Sequence, residues 1–353
     1  MKEGVANMKS RLNRGWMNFS VVAFTVALSL VLANMGDSKA YGASSEKGTK
    51  KIVVKLSYCT SPETPKGKAA TKFAELVHKK AGDRIDVQVF PSSQLYGDKE
   101  ELQALMANNA QIIVPSITKL VAMNPSYQVV DLPFLFRNDQ AVYKFWDGKG
   151  GQILLHKLEK QGLLGLAAWN NAPINIIGKK FFKTPQDFKG VKVRIPAGQV
   201  TTDVFGALGA GATTIPFSEV YTSLQQGVTD AAISSVNNFD TEKYYEVTKF
   251  LSIIDLQRIE YIALTNTTFW NGLSEDIKKI LSECMNEAAK YERDISDDLN
   301  KHSLQVMKSK GVQVYVMSDK EKKALEELFA PVYKKWTPRI GEDLVALARE
   351  AGK

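Results

Sequence analysis

Residues 52–90 read IVVKLSYCTSPETPKGKAATKFAELVHKKAGDRIDVQVF, and this stretch decides the fold class. Ile52–Ser57 is a short apolar run, which is typical of a buried strand. Residues 64–80 place apolar side chains at helical spacing, and Gly82 follows them, so this segment is predicted to be an amphipathic helix. Apolar and polar residues alternate over residues 85–89, as in a half-buried strand. The order strand, helix, strand predicts an α/β protein.

The same alternation continues on the C-terminal side of this stretch. Further strands are predicted at Ile112–Val114, Leu163–Trp169, Val191–Ile195, Ala212–Ile215 and Asp230–Ser234. Helical patterns separate them, near residues 98–106, 139–145, 151–161, 200–208 and from Ser218 onward. Such alternation implies right-handed crossovers and largely parallel sheets. Two such blocks joined near Trp169–Asn175 predict a two-lobed protein.

One later element is longer than a single lobe. From about Ser274 to Lys310, apolar residues recur at helical spacing with no proline or glycine between them, and Gly311 follows. A helix of this length measures roughly 55 Å. We therefore predict that it runs along both lobes as a brace.

The first 40 residues are typical of an export signal. Lys9, Arg11 and Arg14 precede an apolar run, and small residues surround Ala40. This order predicts a secretory signal peptide cleaved near Ala40 and a periplasmic mature protein. A membrane anchor is the alternative, but polar residues interrupt the run before the roughly 18 apolar residues that a span requires. The true start could be Met8 or Met17 instead of Met1.

Composition and motifs exclude several functions. The net charge of +8 is small for 353 residues and is not clustered, so nucleic acid is not expected as a partner. Cys59 and Cys284 are far apart in sequence, and two separate thiols are expected. The sequence contains no zinc, nucleotide-binding or nucleophile-elbow motif, so neither a cofactor nor a metal is expected. An exported α/β protein without catalytic motifs favours binding over catalysis.

Two groups of residues are candidates for ligand binding. In Val191–Ile195, Arg194 lies on the face opposite its apolar neighbours and ends the strand just before a proline. Open α/β sheets bind ligands at the carboxyl ends of strands, where a guanidinium can hold a carboxylate with two hydrogen bonds. Alternatively, Arg194 pairs with an acidic side chain of a helix. Trp169, Asn170 and Asn171 could offer an aromatic wall and amide donors at the junction, or simply end a strand.

Four motifs in register carry a resemblance to one family. They are PSSQL at 91–95, KTPQDFKGVKVRIP at 183–196, PFSEVY at 216–221 and LQQGVTD at 224–230. Their order and spacing resemble the solute-binding proteins of TRAP (tripartite ATP-independent periplasmic) transporters, of the dicarboxylate-binding type. The resemblance extends from Lys51 to about Val316 and includes the long helix.

This resemblance implies a type II-like periplasmic binding protein fold with two lobes that close on a small organic acid. The lobes are expected over residues 48–171 plus 260–299 and over residues 172–259 plus 300–353, after the leader at 1–40. It also implies delivery of the ligand to TRAP membrane permease subunits, and we expect a monomer that is not an enzyme. A ligand-sensing subunit that reports to a membrane receptor stays open as the alternative.

The resemblance also implies the site. Arg194 is expected to bind the ligand's carboxylate and Phe217 to pack against the ligand. The other expected site residues are Cys59, Asp98 and Ser116 on the first lobe, Trp169, Asn170 and Asn171 at the junction, and Ser234 and Asn237 on the second lobe. Family members often carry a second arginine where this chain has Ile174. We therefore expect one acid group on Arg194, a carboxylate or a sulfonate, and a less charged remainder near Ile174 and Ile233.

Overall fold

The computed structural model describes residues 51–353, so the predicted signal peptide and its cleavage site lie outside the described residues. The strands of the described chain are β1 (Ile52–Ser57), β2 (Ile85–Phe90), β3 (Ile112–Ile113), β4 (Leu163–Pro173), β5 (Asn175–Gly178), β6 (Lys192–Ile195), β7 (Gly211–Thr214), β8 (Ala231–Ser234), β9 (Phe250–Ile253), β10 (Arg258–Asn266) and β11 (Gln313–Val316). The α-helices are α1 (Pro65–Ala81), α2 (Glu101–Met106), α3 (Asp139–Asp147), α4 (Lys149–Leu155), α5 (Pro185–Phe188), α6 (Gln199–Ala207), α7 (Val220–Gln225), α8 (Val236–Thr241), α9 (Thr267–Asn271), α10 (Glu275–Ser309), α11 (Asp319–Leu328), α12 (Ala330–Ile340) and α13 (Glu342–Ala351). The predicted α/β class is confirmed.

The strands form two sheets. The first has the order β2-β1-β3-β10-β4, and the second has the order β11-β9-β5-β8-β6-β7. Most neighbours are parallel, as predicted, but β10 and β5 are antiparallel to both of their neighbours. Each of these two strands follows a strand of the other sheet without a helix between them.

Besides its passage through α10, the chain goes directly from a strand of one sheet to a strand of the other at two places that lie side by side. Ile174 separates β4 from β5, and residues 254–257 separate β9 from β10. The two crossings are hydrogen-bonded to each other, because Ile174 N–H donates to the Gln257 carbonyl at 2.8 Å and Leu256 N–H donates to the Ile174 carbonyl at 3.0 Å. These backbone hydrogen bonds fix the position of the junction between the two sheets. The residue limits of the two lobes remain predictions.

Helix α1 shows why the opening stretch folds as predicted. The Thr64 side chain accepts a hydrogen bond from Gly67 N–H, Pro65 occupies the first turn, and Gly82 ends the helix with φ of 58°. Gly67 is required here, because a Cβ at this position would lie 2.5 Å from the Pro62 carbonyl oxygen. Phe73 and its apolar neighbours then pack against the first sheet.

Helix α10 is the predicted brace. It begins after Ser274 and ends just before Gly311, whose φ is 84°. Its 35 residues span about 52 Å. Leu281 belongs to the apolar cluster of β1 and α1, whereas Met307 belongs to the cluster of β8 and α8. The long helix therefore packs against elements of both sheets.

The C-terminal helices lie against an earlier part of the chain. Both α12 and α13 contact the 3-10 turn Pro125–Asp131, and α13 also contacts α3 and α4. Across residues 51–353, no helix combines the length and the apolar character that crossing a membrane requires.

One predicted helix start is wrong. Ser218 was expected to cap a helix, but a 3-10 turn occupies Phe217–Glu219 and α7 begins at Val220. Pro216 fixes the backbone just before this turn, and the first N–H groups after it point to acceptors other than the Ser218 hydroxyl.

Candidate functional site

A cavity lies between the two sheets, beside the junction. Residues of both sheets and of the crossings line it: Cys59, Thr60, Asp98, Glu101, Ser116, Thr118, Lys119, Ile174, Arg194, Pro196, Phe217, Ile233, Ser234, Asn238, Arg258, Ile259 and Tyr261. Its volume is about 50 Å³, measured as the space open to the centre of a water molecule. A cavity that just encloses one water has almost no volume on this measure, so about 50 Å³ leaves room for a small organic molecule.

Arg194 is a buried cation at this cavity. Its strand β6 buries Val193 and Ile195 and exposes Lys192, and Arg194 itself is only 2% exposed. Nε and Nη2 donate to the Ile215 carbonyl oxygen at 2.9 and 2.8 Å. Among the described residues no carboxylate lies within ion-pair distance of Arg194, so the alternative of a structural ion pair does not hold there. Burial lowers the pKa of the guanidinium, since a charge without a counter-ion is poorly solvated here.

Phe217 covers one side of this guanidinium. Its ring centroid lies 5.9 Å from the Arg194 Cζ atom, and the side chain is buried. The Phe217 N–H donates to Asp98 Oδ2 at 3.2 Å. This hydrogen bond joins the segment before α2 to the segment before α7, so it connects the two walls of the cavity.

Asp98 lies three residues before α2 but does not cap this helix. The α2 helix begins at Glu101, and Asp98 Oδ2 instead lies 2.8 Å from Lys119 Nζ. The Asp98 side chain is 5% exposed, so this ion pair is well shielded from water. Both the Lys119 ammonium group and the Phe217 N–H bind the Asp98 carboxylate. These two contacts orient it toward the cavity and away from the start of α2.

Four further predicted residues line the cavity. Ser116 Oγ is 3.0 Å from Thr118 Oγ1, and Ser234 Oγ accepts from Asn238 Nδ2 at 2.9 Å. Ile174 adds an apolar wall at the junction. Burial raises the pKa of the Cys59 thiol to about 11, so this thiol is neutral at physiological pH. Cys59 and Cys284 are both free, as expected.

The structure places four other predicted residues away from this cavity. Trp169 is fully buried in the apolar cluster of the first sheet. Asn171 Nδ2 donates to Ser235 Oγ at 3.1 Å, and Asn237 Nδ2 donates to Ser303 Oγ of α10 at 3.0 Å. The Asn170 N–H donates to Glu292 Oε2 of α10 at 2.8 Å. Helix α10 covers this part of β4 and α8. Asn170 and Asn237 therefore bind side chains of α10, and Asn171 binds Ser235 beside α8, instead of facing the cavity.

Asn170 belongs to a buried ionisable network. Glu260 accepts hydrogen bonds from Trp146 Nε1 at 2.9 Å and from Asn170 Nδ2, and Arg293 Nε donates to Asn170 Oδ1 at 2.7 Å. Burial raises the pKa of Glu260 to about 7 and raises that of Glu292 above its ordinary value. This network ties β4, β10 and α10 together beside the junction.

Sequence reasoning missed the remaining charged residues of the site. Glu101, Lys119 and Arg258 line the cavity, and Lys66 lies buried beside it. Lys66 Nζ donates to the Val114 carbonyl at 3.1 Å and stands 3.9 Å from the ring centroid of Tyr261. A signal for Glu101 existed, because it precedes Leu105 by four residues and therefore shares the buried face of α2. An acidic residue at the start of a helix is ordinarily explained by its favourable charge there, and this explanation conceals the buried position of Glu101.

The site contains donors and cations but no activated nucleophile. None of the three histidines lines the cavity, and burial raises the pKa of the Cys59 thiol, which keeps it in its neutral form. The part of the chain that the structure describes holds no group of three or more His, Cys, Asp or Glu side chains arranged for a metal. What the arrangement can do is hold a small anion against Arg194 by charge-assisted hydrogen bonds.

Comparisons with known proteins agree with this chemistry. The family model described as "Bacterial extracellular solute-binding protein, family 7" matches residues 56–339. The C4-dicarboxylate-binding periplasmic protein DctP of Rhodobacter capsulatus is 37% identical over 302 residues, which cover 85% of this chain and 91% of that protein.

Solved structures give the same result. A TRAP periplasmic solute-binding protein of Shewanella oneidensis with bound succinate superposes with a TM-score of 0.84 at 33% identity, covering 86% of this chain and all of that one. The sugar acid binding protein DctPAm of Advenella mimigardefordensis, in complex with galactonate, superposes at 0.83 with 28% identity, covering 86% and 98%. These relatives are binding proteins for transport and not enzymes, and this chain belongs to bacterial extracellular solute-binding protein family 7.

Proposed function

We propose that this protein captures a small organic acid between its two lobes and delivers it to the permease of a TRAP transporter. The observation that carries the proposal is Arg194, which is buried at the cavity without a counter-ion among the described residues. A buried charge without a partner costs several kcal/mol, and a carboxylate that enters beside it removes that cost. The free Nη1 group gives such a carboxylate a donor.

The cavity limits the ligand to a small molecule, because the space open to the centre of a water molecule is about 50 Å³. The Rhodobacter relative is named for C4-dicarboxylates, and the Shewanella structure holds succinate. A sulfonate in place of the carboxylate stays within the proposal, because both groups offer acceptor oxygens to the guanidinium. Ile174 and Ile233 give the rest of the ligand an apolar wall.

Closure around the ligand follows from where the lining residues lie. Asp98 lies between β2 and α2, and Arg194 lies in β6 of the other sheet. Both line the same cavity, so a ligand gains its full set of contacts only when both walls are close. The ligand then stabilises the closed state by these additional contacts. The permease can distinguish loaded from empty protein by this difference in shape. We propose the lobe limits stated above, a monomeric protein, and removal of the leader near Ala40 on export.

Calorimetric titration with a panel of acids tests the proposal. The panel contains succinate, galactonate, butyrate and a short alkyl sulfonate, each added to the purified mature protein. We expect at least one acid to bind, to raise the unfolding temperature by mass action, and to be recovered chemically unchanged. Binding of none of these acids, or conversion of one of them, would contradict the proposal. Mass spectrometry of the exported protein tests the cleavage site, and X-ray scattering with and without ligand tests closure.

A further inference from the structure

Glu101 is the least satisfied charged side chain of the cavity. It is the first residue of α2, it is 2% exposed, and it lines the cavity. Neither of its carboxyl oxygens has a hydrogen-bond partner among the described residues, and none of the cations described lies within ion-pair distance. A buried carboxyl without a partner requires an explanation, and its place on the lining of the cavity points to the ligand as that partner.

Several charges surround Glu101. Burial raises its pKa to about 7, and the charges of Asp98 and Glu100 act in the same direction. Lys66 of α1 and Lys119 oppose this shift. Near neutral pH the side chain is therefore divided between its acid and carboxylate forms, and a small change in the cavity's charge selects one of them.

The cations that line the cavity, and Lys66 beside it, differ in whether a carboxylate neutralises them. Lys119 is paired with Asp98 at 2.8 Å, and Arg258 is paired with Asp139 at 2.5 Å. Arg194 and Lys66 have no carboxylate within ion-pair distance in residues 51–353. Two cations without partners are neutralised by a dianion only if Glu101 is uncharged. A monoanion neutralises the same site when Glu101 keeps its charge.

We propose that Glu101 determines the charge preference of this site: it takes up a proton from solvent when a dicarboxylate binds, and donates it in a hydrogen bond to the ligand's second carboxylate. A monocarboxylate binds without this proton uptake. The proton moves from water to Glu101, and no other bond is made or broken. This inference rests on the proposed function and adds the group that recognises the ligand's second carboxylate.

The test compares succinate with butyrate, which has the same chain length and one carboxylate. Affinity is measured by calorimetry from about pH 6.5 to 8.5 in buffers of different ionisation enthalpy, which gives the number of protons taken up. For succinate we expect uptake approaching one proton at the upper end and affinity that falls about tenfold per pH unit above pH 7.5. For butyrate we expect neither effect.

Two variants assign the effect to a residue. Glu101→Gln is isosteric and cannot titrate, so its affinity for succinate is expected to be independent of pH and its proton uptake to vanish. Glu100→Gln removes the adjacent exposed carboxylate. It is expected to keep the proton uptake, with the pH profile moved to lower pH because the Glu100 charge no longer raises the pKa of Glu101. Circular dichroism and the unfolding temperature show that both variants are folded.

The outcomes separate the two proposals. Succinate binding without proton uptake, or an unchanged pH slope in Glu101→Gln, overturns the role of Glu101 and leaves the proposed function intact. Binding of galactonate but not of succinate does the same, because the site then prefers a monoanion. If wild-type protein binds none of the acids, the proposed function fails, and the role of Glu101 fails with it.

Discussion

Replacement of Arg194 is the perturbation whose effect the structure defines best. The guanidinium uses Nε and Nη2 to bind the Ile215 carbonyl, and this anchor holds the remaining donors toward the cavity. Arg194→Lys keeps a positive charge but loses the planar fork, so it can bind neither the carbonyl nor a ligand with two parallel hydrogen bonds. Arg194→Met removes the charge and nearly preserves the volume.

The two variants are expected to weaken ligand binding by different amounts. Loss of one member of a buried charge pair costs about 2–5 kcal/mol, so Arg194→Met is expected to bind the acid roughly 30- to 4,000-fold more weakly. Loss of a charge-assisted hydrogen bond costs about 1.5–3 kcal/mol, so for Arg194→Lys the expected reduction is roughly 10- to 150-fold.

Effects of Arg194→Met on stability are expected to be small. The Ile215 carbonyl loses its donors, which is unfavourable, but a buried charge without a counter-ion is also removed, which is favourable. The unfolding temperature of the ligand-free protein should therefore change by only a few degrees, whereas the increase caused by ligand should disappear.

Calorimetry with the tightest-binding acid of the panel measures both variants. Arg137→Lys is the matched control, because the Arg137 side chain is 71% exposed and lies outside the cavity. It is expected to leave the affinity unchanged. If a folded Arg194→Lys protein binds the acid as tightly as wild type, the assignment of Arg194 to the ligand's carboxylate is refuted.

Three further predictions follow from the site and its surroundings. Phe217→Ala removes the ring beside Arg194 and should weaken acid binding roughly tenfold, as measured by calorimetry; unchanged affinity would show that the ring does not contact the ligand. In a Cys284→Ala background, the Cys59 thiol should react with maleimide at pH 8 at least about 100-fold more slowly than a free thiol, because its pKa is about 11. Burial also raises the pKa of Glu260 to about 7, so the folded state holds a proton that the unfolded state releases above its ordinary pKa near 4.3, and stability falls as pH rises between these values. Glu260→Gln should therefore be more stable relative to wild type at pH 8 than at pH 5, on the order of 2 kcal/mol by urea unfolding, and an equal difference at both pH values would contradict the protonation of Glu260.

Local patterns predicted the parts of this protein that depend on local interactions. The period-two pattern of Val191–Ile195 placed Arg194 on the opposite face from its apolar neighbours, and the structure has it on that face. The uninterrupted helical pattern from Ser274 to Lys310 predicted α10 to within a residue at each end. Such patterns are reliable because strand alternation and helix capping involve residues close in sequence.

Tertiary packing decided what these patterns could not predict. Asn170 and Asn171 are amides at a strand end, and nothing in their own segment shows that α10 covers them. Glu101 differs from these amides because the local pattern predicts an exposed side chain, as is normal for an acidic residue in the first turn of a helix. Only the surrounding fold buries it at the cavity. Lys66 likewise looks in the sequence like an exposed lysine in the first turn of a helix. The residue that covers its amine, Tyr261, lies nearly 200 residues later in the chain, so the local sequence gives no sign of this contact.

The central claim is tested most directly by a crystal structure of the protein with the acid that binds most tightly in the panel. We predict that a carboxylate or sulfonate oxygen of the acid accepts a hydrogen bond from Arg194 at about 2.7–2.9 Å, with Phe217 and Asp98 still joined across the cavity. An acid bound elsewhere, with Arg194 bonded only to the Ile215 carbonyl, would contradict the claim.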